Sequence, residues 1–143
     1  MAIRVARVDD IPAMHRVRLS VHENVLRDQS RVTPDDYRAM LETRGRGWVD
    51  ERDGKICAFV VTDDATRNIW ALFVLREYER QGIGRRLHDA AVAWLREQSL
   101  DPIWLTTESH TRAERFYRAA GWREAGRTDR GEIRFELTAG IAD

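Results

Sequence analysis

The sequence predicts an α/β (α+β) domain with a mixed, mostly antiparallel central sheet and helices on both faces. Three observations carry that expectation. Apolar periodicity gives the element order β-α-α-β-β-β-α-β-α-β-β along the chain. Asp53-Gly54 sits between two apolar runs as a tight hairpin turn. A β-branched and aromatic run, Ile69 to Leu75, leads through Gly82-Ile83-Gly84 into an amphipathic helix.

In chain order, Ile3, Val5 and Val8 begin a short strand with arginines between them. Asp9-Asp10 then caps a helix that tolerates Pro12 in its first turn and buries Ile11, Met14, Val17, Val21 and Val25. A second helix starts at Thr33, with Pro34 at its first position and Asp35 and Asp36 in the first turn. Tyr37, Met40 and Leu41 form its inner face. Trp48 and Val49 open a strand, and the hairpin returns through Ile56 to Val61. A polar loop, Thr62 to Asn68, reverses the chain into the central run.

The main helix shows Ile83, Leu87, Ala90, Ala91, Trp94 and Leu95 at three- and four-residue steps. Asp101-Pro102 breaks to a strand at Ile103 to Thr107. Thr111-Arg112-Ala113-Glu114 is a capping box, followed by an inner face of Ala113, Phe116, Tyr117 and Ala120 and a stop at Gly121. Trp122 to Glu124 and Glu132 to Leu137 complete the order as two strands around Asp129-Arg130-Gly131.

At 143 residues the chain is expected to be one domain, residues 1–143, with a real core. Apolar residues make up 43%, with five tryptophans, which excludes a disordered chain. Lys plus Arg and Asp plus Glu are 24 each. Zero net charge argues against a nucleic-acid binder that relies on bulk positive charge. Cys57 lies in an apolar run, where a buried inert thiol is expected. The N-terminus lacks the apolar core of a signal peptide and no run approaches membrane-spanning length, so a cytoplasmic protein is expected.

Strand, glycine turn, helix is a physical recipe for holding an anion. The first helical turn has N–H groups without partners, the dipole adds positive potential, and glycine admits a phosphate without a Cβ in its way. Arg80, Arg85 and Arg86 flank the turn. A plain strand-to-helix turn with solvated arginines explains a bare G-x-G equally well. No Gly-Lys-Ser/Thr follows, so this is no P-loop, and Leu87 holds the third glycine position of a dinucleotide fingerprint.

Val74 to Leu87, V-x-x-x-Y-x-x-x-G-I-G-R-x-L, resembles the acetyl-CoA pyrophosphate loop of the Gcn5-related N-acetyltransferases (GNAT). Thr111 to Trp122, TRAERFYRAAGW, is similar to that family's second hallmark, a helix with an aromatic pair and a closing glycine. The resemblance implies a GNAT-like acyl-CoA N-acyltransferase fold and transfer of an acetyl group from acetyl-CoA to a primary amine. No metal belongs to that site. It also implies binding of the pyrophosphate by Arg80, Gln81, Gly82, Ile83, Gly84 and Arg85, and pairing of the pantetheine arm with strand backbone at Leu72 and Val74. Tyr117 aligns with the family's proton donor. His110 stands where the family often has a cofactor-touching Asn, although a surface histidine before a helix cap fits as well. One departure is visible: Glu79 replaces the usual Arg or Gln three residues before the first glycine, which implies a weakened side-chain contact.

A phenol titrates near pH 10 and a thiol near 8.5, roughly, so Tyr117 keeps its proton at neutral pH and can donate it to a departing thiolate. The position where some members carry a general base is Thr106, which cannot serve. Glu108, two residues on and on the same strand face, is the first candidate base, and Glu23 the second. Glu23 and Asn24, in the segment His22 to Asp28, are the candidate residues for binding a small-molecule or peptide amine acceptor. The resemblance further implies a homodimer through the C-terminal strands, and Glu132 to Leu137 would be an exposed edge unless covered. Two other readings compete: a non-catalytic acyl-CoA-binding or regulatory module on the same fold, and a nucleotide-binding domain, which needs a lysine or ribose-binding acid that the spacing does not offer.

Overall fold

The computed structural model describes residues 3–21 and 32–139. Its sheet has seven strands: β1 Ile3–Val5, β2 Gly45–Arg52, β3 Lys55–Asp63, β4 Asn68–Val74, β5 Ile103–Thr107, β6 Arg123–Arg127 and β7 Ile133–Leu137. Four helices accompany them: α1 Ile11–Val21, α2 Pro34–Ala39, α3 Ile83–Gln98 and α4 Arg112–Ala119. The spatial order is β1-β2-β3-β4-β5-β7-β6, antiparallel throughout except where β4 meets β5. The expected mixed, mostly antiparallel sheet is therefore present.

Helices cover both faces because neighbouring strand residues point to opposite sides. On β3, Phe59 packs against Phe73 of β4 and Tyr37 of α2, with ring centroids 5.7 and 6.2 Å away. Its neighbour Val60 pairs with Trp48, whose indole meets Trp94 of α3 at 6.1 Å on the other face. Buried on both sides, β3 is apolar from Cys57 to Val61 without alternation. The Asp53-Gly54 hairpin has φ of 52° and 75°, the left-handed pair that a two-residue turn matched to strand twist demands.

Several boundaries differ from the sequence expectation. β1 ends at Val5, because a short 3₁₀ turn, Val8–Asp10, precedes α1. The Asp10 carboxylate accepts from the Arg7 N–H at 2.8 Å and from both ends of the Arg4 guanidinium at 2.8 and 2.9 Å. Arg4, aided by that N–H, holds the carboxyl below its usual range despite burial. α2 is capped by Thr33 and Asp36 as expected, but runs on through a π turn, Met40–Arg44, straight into β2 at Gly45. A Cβ on Gly45 would sit 2.0 Å from the Thr62 carbonyl oxygen, so only glycine fits there.

At the C-terminal end, Trp122 is a buried core residue and β6 begins after it, at Arg123. β7 is not the sheet edge. It lies between β5 and β6, and the edge is β6, whose five residues are exposed. The alternation of Ile133, Phe135 and Leu137 reads as core packing rather than as a bare edge, because β6 pairs with β7 from Arg123↔Glu136 to Arg127↔Ile133.

Candidate active site

The functional geometry starts from two parallel strands that touch once. β4 and β5 pair only at Asn68↔Trp104. Asn68 Nδ2 donates to the Trp104 carbonyl at 3.0 Å, and the Trp104 N–H donates to the Arg67 carbonyl at 2.9 Å. Arg67 anchors that closed end by donating to the carbonyls of Leu95, Ser99 and Asp101 at 2.7 to 2.8 Å. Those groups are the tail of α3 and the turn after it, so the guanidinium also caps a negative helix end. Beyond Trp104 the strands separate and leave a cleft of about 630 Å³.

One wall is β4, with Leu72 and Val74 along it. A bulge in β4 helps shape this wall: Val61 faces Ala71 and Thr62 faces Ile69, which leaves Trp70 as the extra residue. The opposite wall is β5 with Thr106 and Glu108, continued by α4 with Tyr117. The glycine turn closes one end, presenting Arg80, Gly82, Ile83, Gly84 and Arg85 to the cleft. Gly82 caps α3 at φ 79°, and Arg80 shares the left-handed region at φ 66°. The first helical bond runs from Arg86 N–H to the Gly82 carbonyl, so the amides just before it point out of the helix start.

Side chains around the turn are held by neighbours. Arg85 pairs with Asp89 one helical turn on at 3.1 Å, and Arg52 donates to Gln81 Oε1 at 3.3 Å. Glu79 meets Arg112 at the start of α4 at 3.1 Å, bridging the loop to the opposite wall. Gln81 and His110 lie outside the cleft lining. His110 is exposed with φ 62°, and its N–H donates to Glu114 Oε1 at 2.7 Å. The α4 cap is thus shifted by one residue: Thr111 Oγ1 accepts from Glu114 N–H as expected, while the carboxylate serves His110. Glu23 and Asn24 lie outside the described residues.

Tyr117 is 6% exposed, among Phe116, Trp122, His88 and Phe135 at centroid distances of 5.2 to 6.4 Å. Burial pushes its phenol well above the ordinary tyrosine value, so the hydroxyl keeps its proton. No hydrogen bond to that hydroxyl is seen among the described residues, and Tyr117 is one of the residues lining the cleft. Cys57 is fully buried and donates to the Asp50 carbonyl at 3.4 Å. Burial and then Asp50 push its thiol up to about 11, which leaves no thiolate at neutral pH.

Two residues near or in the cleft escaped the sequence reading. His88 is buried on α3, and the Trp122 indole N–H donates to its Nε2 at 2.9 Å. Nδ1 therefore carries the proton and donates to Asp89 Oδ1 at 2.8 Å. His88 also packs edge-on against Phe116 at 5.5 Å, so it pins α4, and Tyr117 with it, to α3. The second is Arg18 of α1, 7% exposed and part of the cleft wall. Apolar periodicity could not flag either, since both are polar residues on buried helix faces.

The sheet is parted at one parallel junction, with a glycine turn and a buried tyrosine on its sides. The sequence model of the acetyltransferase (GNAT) family matches residues 12–122, and the protein belongs to that family. Solved structures share the fold. An acetyltransferase of the GNAT family from Staphylococcus aureus superposes with TM-score 0.81 at 18% identity, over 96% of this chain and 98% of that one. A ribosomal-protein-alanine N-acetyltransferase from Brucella melitensis gives 0.75 at 20%, over 96% and 99%. The PaiA N-acetyltransferase from Thermoplasma acidophilum, solved in complex with coenzyme A, gives 0.78 at 13%, over 96% and 99%. No curated protein matches the sequence.

The His88–Trp122 bond generates a pH prediction. Burial lowers the His88 pKa below the ordinary 6.5, against an opposing pull from Asp89. Below that value the unfolded chain takes up a proton that the folded chain resists, so stability is full above about pH 6.5 and falls as pH drops toward the folded pKa. His15, lowered by burial and by Arg18, acts in the same direction. His88→Gln keeps an acceptor for Trp122 and should flatten part of the slope in urea midpoints between pH 7.5 and 5.5. Identical slopes for the two proteins would show that His88 does not carry it.

Proposed function

We propose that this protein is an acetyl-CoA-dependent N-acetyltransferase that acetylates a primary amine, with Tyr117 as proton donor to the coenzyme A thiolate. The observation that carries the reading is the cleft between β4 and β5, which has anion-holding geometry at one end and a proton-bearing phenol on its wall. The coenzyme A complex of a structural neighbour supports the choice of ligand. In this reading the Arg80–Arg85 turn holds the pyrophosphate. The β4 backbone at Leu72 and Val74, unpaired on the side facing β5, extends a hydrogen-bonded ladder to the pantetheine.

The chemistry balances with these groups. The neutral amine attacks the thioester carbonyl carbon, a C–N bond forms, and the C–S bond breaks. The thiolate takes the Tyr117 proton, and the amine gives up one proton to Glu108 or to water. Glu108 lines the cleft at the end of β5, which supports its place as first candidate base. Acceptor binding by Glu23 and Asn24 stays part of the proposal, as do a cofactor contact from His110 and a cytoplasmic site of action. The acceptor is a small molecule or a peptide; the neighbour named for a ribosomal-protein alanine is one precedent for the latter. No helix among the described residues is long and apolar enough to cross a membrane.

Gly84→Val isolates the anion site. A Cβ at Gly84 meets only Val74 Cγ2, at an ordinary 3.6 Å, and the position has no left-handed requirement, whereas Gly82 does. The variant should fold and bind acetyl-CoA at least roughly tenfold more weakly, because the side chain occupies the phosphate's approach. Unchanged affinity by calorimetry would remove the turn from the site.

Tyr117→Phe keeps the aromatic cluster and deletes the hydroxyl. Folding and acetyl-CoA affinity should persist while turnover falls by roughly 10²- to 10⁴-fold, the range for a lost general acid. Wild-type turnover would assign the proton to another group, and acetyl-CoA binding without turnover of any amine would favour a non-catalytic binding module.

The homodimer is carried by the family resemblance alone, and with β7 covered it would have to form along β6, whose Glu124 and Arg127 pair with each other. Light scattering at micromolar concentration should give twice the 16.6 kDa mass of one chain. The single-chain mass would refute it.

A further inference from the structure

Among the described residues, Arg18 is a buried cation with no carboxylate beside it. It sits on α1 with 7% exposure and forms part of the cleft wall. Its guanidinium carbon lies 4.8 Å from the Trp70 ring centroid, 5.1 Å from Phe73 and 5.9 Å from Tyr37. Nη1 donates to Tyr37 Oη at 3.3 Å, and that oxygen is shared with His15 Nδ1 at 3.0 Å. Nε is buried and bonded to nothing, and no carboxylate among the described residues pairs with the group.

Taking a guanidinium out of water is costly unless hydrogen bonds and an opposite charge replace the solvent. Aromatic faces and one phenol replace only part of it. The aromatic stack instead fixes the plane of the fork on the cleft wall. A planar fork held in this way matches a carboxylate, which accepts two parallel N–H bonds. Trp70, the bulged residue of β4, and Phe73 place this cation on the α1–α2 face of the sheet. Tyr117 packs on the α3 face, through His88. The cleft is lined by both, so cation and phenol stand on opposite faces of the sheet.

We propose that Arg18 binds a carboxylate of the acceptor, and that the acceptor is an amine carrying such a group close to the reacting nitrogen. This deepens the acetyltransferase reading and rests on it. Free amino acids and peptides with an acidic side chain near their N-terminus share the required chemistry.

The test measures coenzyme A release from acetyl-CoA with matched acceptors. One arm pairs the common α-amino acids with their amides; the other pairs tripeptides bearing Asp or Glu at the second position with their Asn or Gln counterparts. The first arm responds if the α-carboxylate is read, the second if a side-chain carboxylate is. In one arm the acid form should have kcat/KM roughly 10- to 100-fold above the neutral form. Arg18→Gln should bring that ratio close to one by raising KM for the acid form, leaving KM for the neutral form and the affinity for acetyl-CoA unchanged. Arg18→Lys should keep part of the preference through its charge. Where Arg18→Gln does not fold, the wild-type ratio and Arg18→Lys decide.

Equal rates for acid and neutral forms in both arms overturn the proposal, as does a panel with no turnover while acetyl-CoA still binds. Retention of the full preference by Arg18→Gln overturns it too. Failure of the wild-type protein to bind acetyl-CoA in calorimetry is a different result, and overturns the acetyltransferase reading itself.

Discussion

The parallel contact between Asn68 and Trp104 is the constraint on which the rest of the site depends. A parallel pair in the middle of a sheet would ordinarily zip along its length, because unpaired backbone groups away from water are costly. Here the ladder stops after one bridge. Arg67 holds the closed end by tying β4 to the last turn of α3, so the strands diverge from a fixed point. Aromatic clusters pack on both sheet faces beside the gap: Tyr37, Trp70 and Phe73 on one, and Tyr117, His88 and Trp122 on the other. The fold thus leaves the β4 backbone beyond Asn68 unpaired on the side facing β5.

The local parts of this arrangement were legible in the sequence because their causes are local. A glycine turn before an apolar period of three and four residues is a helix start wherever it stands. Thr111 with Glu114, and Thr33 with Asp36, are caps by hydrogen-bond chemistry alone. What could not be read is pairing. The alternation in Ile133 to Leu137 states that one face is buried and says nothing about which strand lies alongside, so β7 looked like an edge. Neither segment's own pattern carries the β4–β5 divergence, a property of two segments distant in the chain; the family resemblance alone implies splayed strands there. Trp122 read as the start of a strand; it is instead a buried residue whose indole N–H donates to His88.

Polar residues on buried faces were the other blind spot, for a related reason. Hydropathy counts His88 and Arg18 as surface, so a helix pattern that includes them simply looks weaker. Their burial becomes intelligible only with partners in view: an indole donor for His88, an aromatic stack for Arg18. Zero net charge concealed as much. Many charges form exposed pairs, such as Arg85–Asp89 and Arg127–Glu124, which solvent screens. The few charges that line the cleft are the ones able to act at low dielectric.

Glu79 shows why a motif departure has to be judged in three dimensions. Read along the chain, a carboxylate replaces a cation or amide beside a phosphate-binding turn, which should repel the ligand. In the fold that carboxylate is spent on Arg112, a residue of the facing helix that lines the same cleft. The pair brings a guanidinium to the mouth of the turn and ties the turn to α4. Under the proposed reading, the positive charge missing from the loop is supplied from the opposite wall, and the carboxylate positions it. The backbone amides at the start of α3 are indifferent to which side chain does this, since Gly82 and Arg80 set their direction through φ alone. A site whose main contacts are backbone can exchange one flanking charge for another, provided the new one is held by geometry from elsewhere in the fold.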